Sequence, residues 1–164
     1  MRSILKVNWD ANLPIYNIDQ SELQRKGINS LLLDVDGTLV NRKSNMIPKA
    51  VKNWIIESKK LFSLYLISNN PSKKRIAKLA KELNLRYKYN ASKPRKKATL
   101  SAIKEIGSEP INIAIIGDRI FTDIIVGNRC DIKTILVKRL NRDGLPIKFN
   151  LTLTIEKLIS HFIK

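Results

Sequence analysis

From residue 30 onward, short runs of Leu, Ile and Val alternate with segments whose apolar positions recur every three or four residues. The runs predict strands at 30–35 (SLLLDV), 62–67 (FSLYLI), 86–89 (RYKY), 111–116 (INIAII) and 134–138 (TILVK). All but 86–89 are almost continuously apolar, as strands covered on both faces are. The intervening segments read as helices. Pro48 opens one to about Lys60, with Val51, Trp54, Ile55 and Ser58 on a single stripe. Pro71 opens the next, capped by Asn70, with Ile76, Leu79, Ala80 and Leu83 inward, and Pro94 opens a third that ends at Gly107. Thr122 or Asp123 begins a short fourth, and Thr154 a C-terminal one with Ile155, Leu158, Ile159 and Phe162 inward.

This alternation is that of an α/β protein, a single Rossmann-like domain with a parallel sheet of about five strands and helices on both faces. Residues 1–29 carry Ile4, Leu5, Val7, Trp9, Leu13, Ile15, Tyr16 and Ile18 without a sustained period, then a possible short helix at Ser21–Gly27. They are expected to pack on or beside a core at 30–140, which 141–164 follows as a loop and helix.

In an open parallel sheet, ligands bind beyond the carboxyl ends of the strands. After the first strand come Asp34, Asp36, Gly37 and Thr38, and after the second Ser68, Asn69 and Asn70. Lys93 precedes the third helix; Gly117, Asp118 and Asp123 follow the fourth strand. Four of the chain's eight aspartates thus gather at one edge. Converging carboxylates need a cation, and Mg²⁺, held by one or two of them with waters and a substrate phosphate, suits oxygen ligands. Each residue also has a plain structural reading. Asp34 and Asp36 would form a turn with Gly37, Ser68 and Asp123 would serve helix caps, and Lys93 would be one more solvated charge among Arg95, Lys96 and Lys97. Asn69, Arg119 and Asn128 stand between lining the site and merely neighbouring it. His161 reads as a surface residue.

Charge narrows the partners. The net charge of +17 attracts phosphate-bearing molecules: nucleic acid, anionic lipid or small phosphoesters. No stretch approaches the ~18 apolar residues that would span a bilayer. The N-terminus carries neither a signal-peptide nor a transit-peptide pattern, so the expected location is the cytoplasm, with peripheral contact to the inner membrane surface allowed. Cys130, the lone cysteine, reads as a small buried apolar residue.

"DVDGTLV" (34–40), "ISNN" (67–70), "SKP" (92–94) and "IIGDRIFTD" (115–123) resemble, in order, the four motifs of the haloacid dehalogenase (HAD) superfamily of aspartate-nucleophile phosphatases. Over roughly residues 5–140, "TDIIVGNRCDIKTILVKRL" included, the chain is similar to the YqeG family of subfamily IIIA, to which phosphatidylglycerophosphate phosphatases are similar. The resemblance implies Asp34 as nucleophile, forming an aspartyl-phosphate, and Asp36 as acid and then base. It implies phosphate contacts from Gly37, Thr38, Ser68, Asn69 and Lys93, with Lys93 also restraining Asp34. It implies Mg²⁺ held by Asp34, the Asp36 carbonyl and Asp118, with Asp123 as a further or outer ligand. About 25 residues separate the first motif from the second strand, too few for a cap domain, so the site is expected to be open and its substrate bulky. Together these imply hydrolysis of phosphatidylglycerophosphate to phosphatidylglycerol. The alternatives are a soluble phosphosugar, a nucleic-acid terminal phosphate, or a non-catalytic RNA- or ribosome-binding role.

Overall fold

The computed structural model describes residues 4–162. Among these, one sheet of six parallel strands contains β1 (Trp9–Asp10), β2 (Ser30–Leu33), β3 (Ser63–Ile67), β4 (Arg86–Lys88), β5 (Ile113–Gly117) and β6 (Lys133–Leu136), in the order β1-β6-β5-β2-β3-β4. Five match the expected runs. The extra one, β1, pairs Trp9 with Ile135 and Asp10 with Leu136 at the sheet edge, and two residues are too few for a periodic pattern to show.

Among the described residues, six α-helices accompany the sheet: α1 (Gln20–Arg25), α2 (Lys49–Leu61), α3 (Lys73–Leu83), α4 (Lys97–Ile106), α5 (Ile125–Arg129) and α6 (Leu151–Phe162). Successive strand residues point to opposite faces, so each strand feeds two cores. Leu31 and Leu33 join Val51, Trp54 and Ile55 of α2 and Ile76, Leu79 and Ala80 of α3 on one face. Leu32 joins Tyr65, Ile115, Ala102 of α4 and Val126 of α5 on the other.

The N-terminal residues belong to the first core. Ile15, Ile18 and Leu23 are buried in it, and Trp9 and Tyr16 pack against it. The Trp54 Nε1–H donates to the Ile18 carbonyl (3.0 Å), while Gln20 Nε2 donates to the Trp54 carbonyl (3.1 Å) and the buried Ser58 hydroxyl (2.8 Å).

Several helix ends differ from expectation. Helix α3 starts at Lys73, with the Ser72 hydroxyl accepting from Arg75 N–H; Asn70 instead shapes the preceding turn by accepting from Ser72 N–H (2.9 Å). Helix α4 begins after a turn in which Arg95 N–H donates to the Ser92 carbonyl (3.0 Å), and it does end at Gly107, which takes the left-handed conformation (φ 77°). Asp123 does not begin the helix: it lies inside a π-helical turn, Ile120–Ile124, that runs into α5, and its Oδ2 accepts from Arg119 N–H (3.3 Å) at the start of that turn.

The C-terminal helix is turned over relative to its expected orientation. Ile155, Leu158 and Ile159 are exposed, while Glu156 is buried (2 % accessible). The side chains of His161 and Phe162 lie outside the described residues. Glu156 explains the orientation. It accepts from Ile120 N–H (2.8 Å), at the otherwise unpaired start of the π-helical turn, and forms an ion pair with Arg119 (3.2 Å). Leu153 adds an apolar contact beside Ile120 and Ile124. Apolar periodicity identifies a stripe but not the side on which it lies. Glu156→Ala is expected to cost ~1–3 kcal/mol by leaving the Ile120 N–H unpaired, and to speed proteolysis within α6 well before the sheet unfolds. Cleavage at the wild-type rate would mean that Glu156 does not anchor the helix.

No helix among the described residues is long and apolar enough to cross a membrane.

Candidate active site

The sheet order makes β2 the switch point. The chain leaves β2 for β3 and β4 on one side, then returns to β5 and β6 on the other. The loops after β2 and β5 therefore diverge, and a crevice opens at their carboxyl ends. Leu33 lies beside both Leu66 and Ile116, so Ser68 and Asp118 emerge one residue beyond the level of Asp34. A cavity of about 750 Å³ opens there, with Asp34, Asp36, Ser68, Lys93, Asp118 and Asp123 among its lining residues.

Lys93 organises its floor. The side chain is buried, and its Nζ donates to Asp34 Oδ1 (2.7 Å), Asp123 Oδ1 (2.6 Å) and the Ile67 carbonyl (2.9 Å). Asn69 grips the backbone of Lys93 from both sides: its Oδ1 accepts from Lys93 N–H (2.7 Å) and its Nδ2 donates to the Lys93 carbonyl (2.9 Å). Asn69 thus positions the lysine while itself lining the cavity. Ser68 is fully buried, and its Oγ accepts from Asn70 N–H (3.1 Å).

Asp34, Asp118 and Asp123 have carboxylate oxygens within 4.8 Å of one another. Thr38 donates its hydroxyl to Asp34 Oδ2 (3.2 Å), and Arg139 Nε donates to Asp118 Oδ2 (2.5 Å). Asp118 Oδ1 is buried without a hydrogen-bond partner, an arrangement that a divalent cation would complete. Two glycines make the cluster possible. A Cβ on Gly117 would lie 2.3 Å from Asp123 Cγ, and one on Gly37 (φ 98°) would lie 2.6 Å from Asp118 Oδ2. The Gly37 N–H itself donates to the Val40 carbonyl (2.7 Å), so the glycine provides space here rather than an amide aimed at phosphate.

The Asp36 carboxylate stands apart from this triad. It pairs with Arg75 (2.7 Å) and accepts from Asn70 Nδ2 (2.8 Å). Arg75 also donates to the carbonyls of Ser44 (2.9 Å) and Asn41 (3.4 Å), tying the loop after β2 to α3. Arg119 does line the cavity, as do Arg42, Lys43, Arg139 and Arg142, which lie outside the four motifs. Asn128 does not: its Nδ2 holds the carbonyls of Ile4 and Lys6 (both 2.8 Å).

Crowded carboxylates in a dry site resist ionisation. Burial pushes the Asp34 carboxyl up to about 8, with the charges of Asp123 and Asp118 adding and Lys93 opposing. Burial and the Asp123 charge likewise raise Asp118 to about 6 against the pull of Arg139. For Lys93, burial works against the charged form, but Asp123 and Asp34 outweigh it and hold the ammonium protonated above its ordinary range.

These shifts predict a pH-dependent response to metal. An unfolded aspartate releases its proton near ~4, whereas the folded chain retains one on Asp34 to about 8 and on Asp118 to about 6. The folded state therefore binds more protons across that window, and metal-free stability falls as pH rises through it. A cation offsets the repulsion and displaces those protons. Mg²⁺ should accordingly raise Tm more at about pH 8 than at about pH 6, with proton release on titration. An equal shift at both would remove the triad as the metal site.

A Rossmann-like sheet bearing this carboxylate triad and buried lysine at its switch point is the framework of a HAD-type hydrolase. Residues 90–143 match a hydrolase family described as HAD-hydrolase-like. The chain is 29% identical over 138 residues to "Probable phosphatase YqeG" of Bacillus subtilis (strain 168), covering 83% of this chain and 80% of that one. Among solved structures it resembles a Porphyromonas gingivalis protein described as a predicted HAD-like family hydrolase (TM-score 0.55, 13% identity, 80% of this chain and 98% of that one). It also resembles Bacillus subtilis YfnB, a HAD-hydrolase bound to magnesium (TM-score 0.54, 12% identity, 84% and 99%). The chain is a phosphatase, similar to YqeG and to hydrolases of the HAD superfamily. Its cofactor is Mg²⁺, and the carboxylates of Asp34, Asp118 and Asp123 lie close enough together to hold a metal ion.

Proposed function

We propose that the protein hydrolyses a phosphomonoester through an aspartyl-phosphate on Asp34, and that its substrate is phosphatidylglycerophosphate. The observation that carries the chemistry is Lys93, buried and clamped between Asp34 and Asp123 at the floor of an open cavity. In this reading the Asp34 carboxylate attacks phosphorus as the P–O ester bond breaks, and Asp36 gives a proton to the departing alkoxide. Asp36 then takes a proton from water, which attacks the acyl phosphate, frees inorganic phosphate and restores Asp34. Lys93 and the Ser68 hydroxyl stabilise charge on the equatorial oxygens, and Asn69 keeps the lysine in register. Asp34, Asp118 and Asp123 would hold Mg²⁺, which would supply further charge neutralisation.

The substrate reading rests on the open, basic mouth and on the sequence resemblance to phosphatidylglycerophosphate phosphatases. Between Asp34 and β3 there are only a loop and α2, and between Ser68 and Lys93 only α3 and β4, so no inserted domain covers the cavity. Arg42, Lys43 and Arg142 at its wall favour an anionic head group. The test is phosphate release from phosphatidylglycerophosphate in mixed micelles, beside soluble phosphosugars and 3′- and 5′-phosphorylated oligonucleotides, with and without Mg²⁺. Release confined to the lipid supports the proposal. Release only from a soluble ester or an oligonucleotide would keep the chemistry and discard the lipid.

A further inference from the structure

The surface beside the cavity mouth combines apolar and basic groups in a way that neither the fold nor the chemistry requires. Met46 stands in the loop after β2, Leu145 and Phe149 in the loop after β6, and Leu151 and Leu158 on α6; these five are 58 to 81 % exposed. Ile155 extends the α6 stripe. The two loops form one surface, since Asn41 Nδ2 donates to the Leu140 carbonyl (3.2 Å) and Gly144 packs against Pro48. Arg42, Lys43, Arg142 and Lys148 are exposed on the same loops. Ile147 and Thr152, from the segment that carries the apolar residues, line the cavity itself.

We propose that α6 and these two loops form the face by which the protein docks on an anionic lipid bilayer. Exposed apolar side chains interleaved with Lys and Arg are the composition of a surface that enters a lipid interface, the apolar groups inserting while the cations stay at the head groups. A second copy of the chain fits less well, because two molecules of net charge +17 would bring like charges together along the same rim. The inference rests on the phospholipid reading above for the source of the anion. The N-terminal apolar residues do not extend this face, since Leu5 is buried and Trp9 and Tyr16 pack against the core.

The test is co-sedimentation of the full chain with phosphatidylcholine vesicles, with and without phosphatidylglycerol and containing no phosphomonoester lipid. The wild type should bind the anionic vesicles, less so at high salt. Ile155→Ser with Leu158→Ser, and separately Leu145→Ser with Phe149→Ser, should weaken binding by about tenfold or more, while Tm and hydrolysis of a soluble aryl phosphate stay at wild-type values. No binding by the wild type, or unchanged binding by both variants, would overturn the proposal. So would a dimer in light scattering that the same substitutions split, which would give the face to a second copy. Vesicle binding without hydrolysis of phosphatidylglycerophosphate would leave the docking face standing and remove the substrate; hydrolysis in micelles without vesicle binding would do the reverse.

Discussion

Asp34→Asn is expected to abolish turnover, by at least about 10⁴-fold in kcat, in a protein that remains folded. The amide is nearly the same size as the carboxylate but is not a nucleophile toward phosphorus. Its oxygen can still accept from Lys93, which keeps Asp123 and the Ile67 carbonyl as partners. Burial already holds the Asp34 carboxyl far above its ordinary pKa, so its charge is a cost to the metal-free fold, and removing it should leave Tm equal or higher near about pH 8. Phosphate release and thermal unfolding, measured on one preparation, separate the two effects. Turnover near the wild-type level would remove Asp34 as nucleophile. Loss of activity together with collapse of the fold would instead mean that the carboxylate is structural.

Strands β2, β3 and β5 are legible because they are buried on both faces, so continuous apolar runs mark them in any context. The stripe of α2, Val51, Trp54, Ile55 and Ser58, is the buried set of that helix, and a serine could join it because Gln20 supplies its partner. What stays hidden depends on tertiary contacts. Strand β1 exists only because β6 offers it an edge, and α6 turns its glutamate inward only because Ile120 and Arg119 present a donor and a charge.

The candidate site divides in the same way. Its aspartates and Lys93 stand at strand ends in recognisable motifs, and the structure brings Asp34, Asp118, Asp123 and Lys93 together. Arg139 and Arg75 lie outside the four motifs, yet they hold Asp118 and Asp36. Arg139 follows β6 much as Asp118 follows β5, so a search of every strand end for cations as well as carboxylates would have found it. Arg75 offers no such signal. It sits in α3 among Lys73, Lys74 and Lys78, and only the fold distinguishes it from its solvated neighbours.

Lys93→Ala separates two readings of a lysine in a basic stretch more sharply than any other substitution. Lys96, three residues on, is exposed, and Lys96→Ala should leave turnover within about twofold of wild type. Lys93→Ala removes the ammonium shared by Asp34 and Asp123, leaving buried carboxylates without their cation. Breaking such a pair costs ~3–5 kcal/mol where the remaining charge persists. Protonation of Asp34 relieves part of that, so the metal-free variant should be destabilised more at high pH than at low pH. Turnover should fall by about 10²–10³-fold even with Mg²⁺ saturating, because the metal does not replace the charge at the Lys93 position. Lys93→Met fills the space without the charge, and equal loss of turnover in the two variants would assign the effect to electrostatics rather than to a cavity. Activity and urea unfolding at about pH 6 and about pH 8.5 read both consequences. Equal, small effects of Lys93→Ala and Lys96→Ala would return Lys93 to the solvated charges around it and leave Asp34 without the group that restrains it.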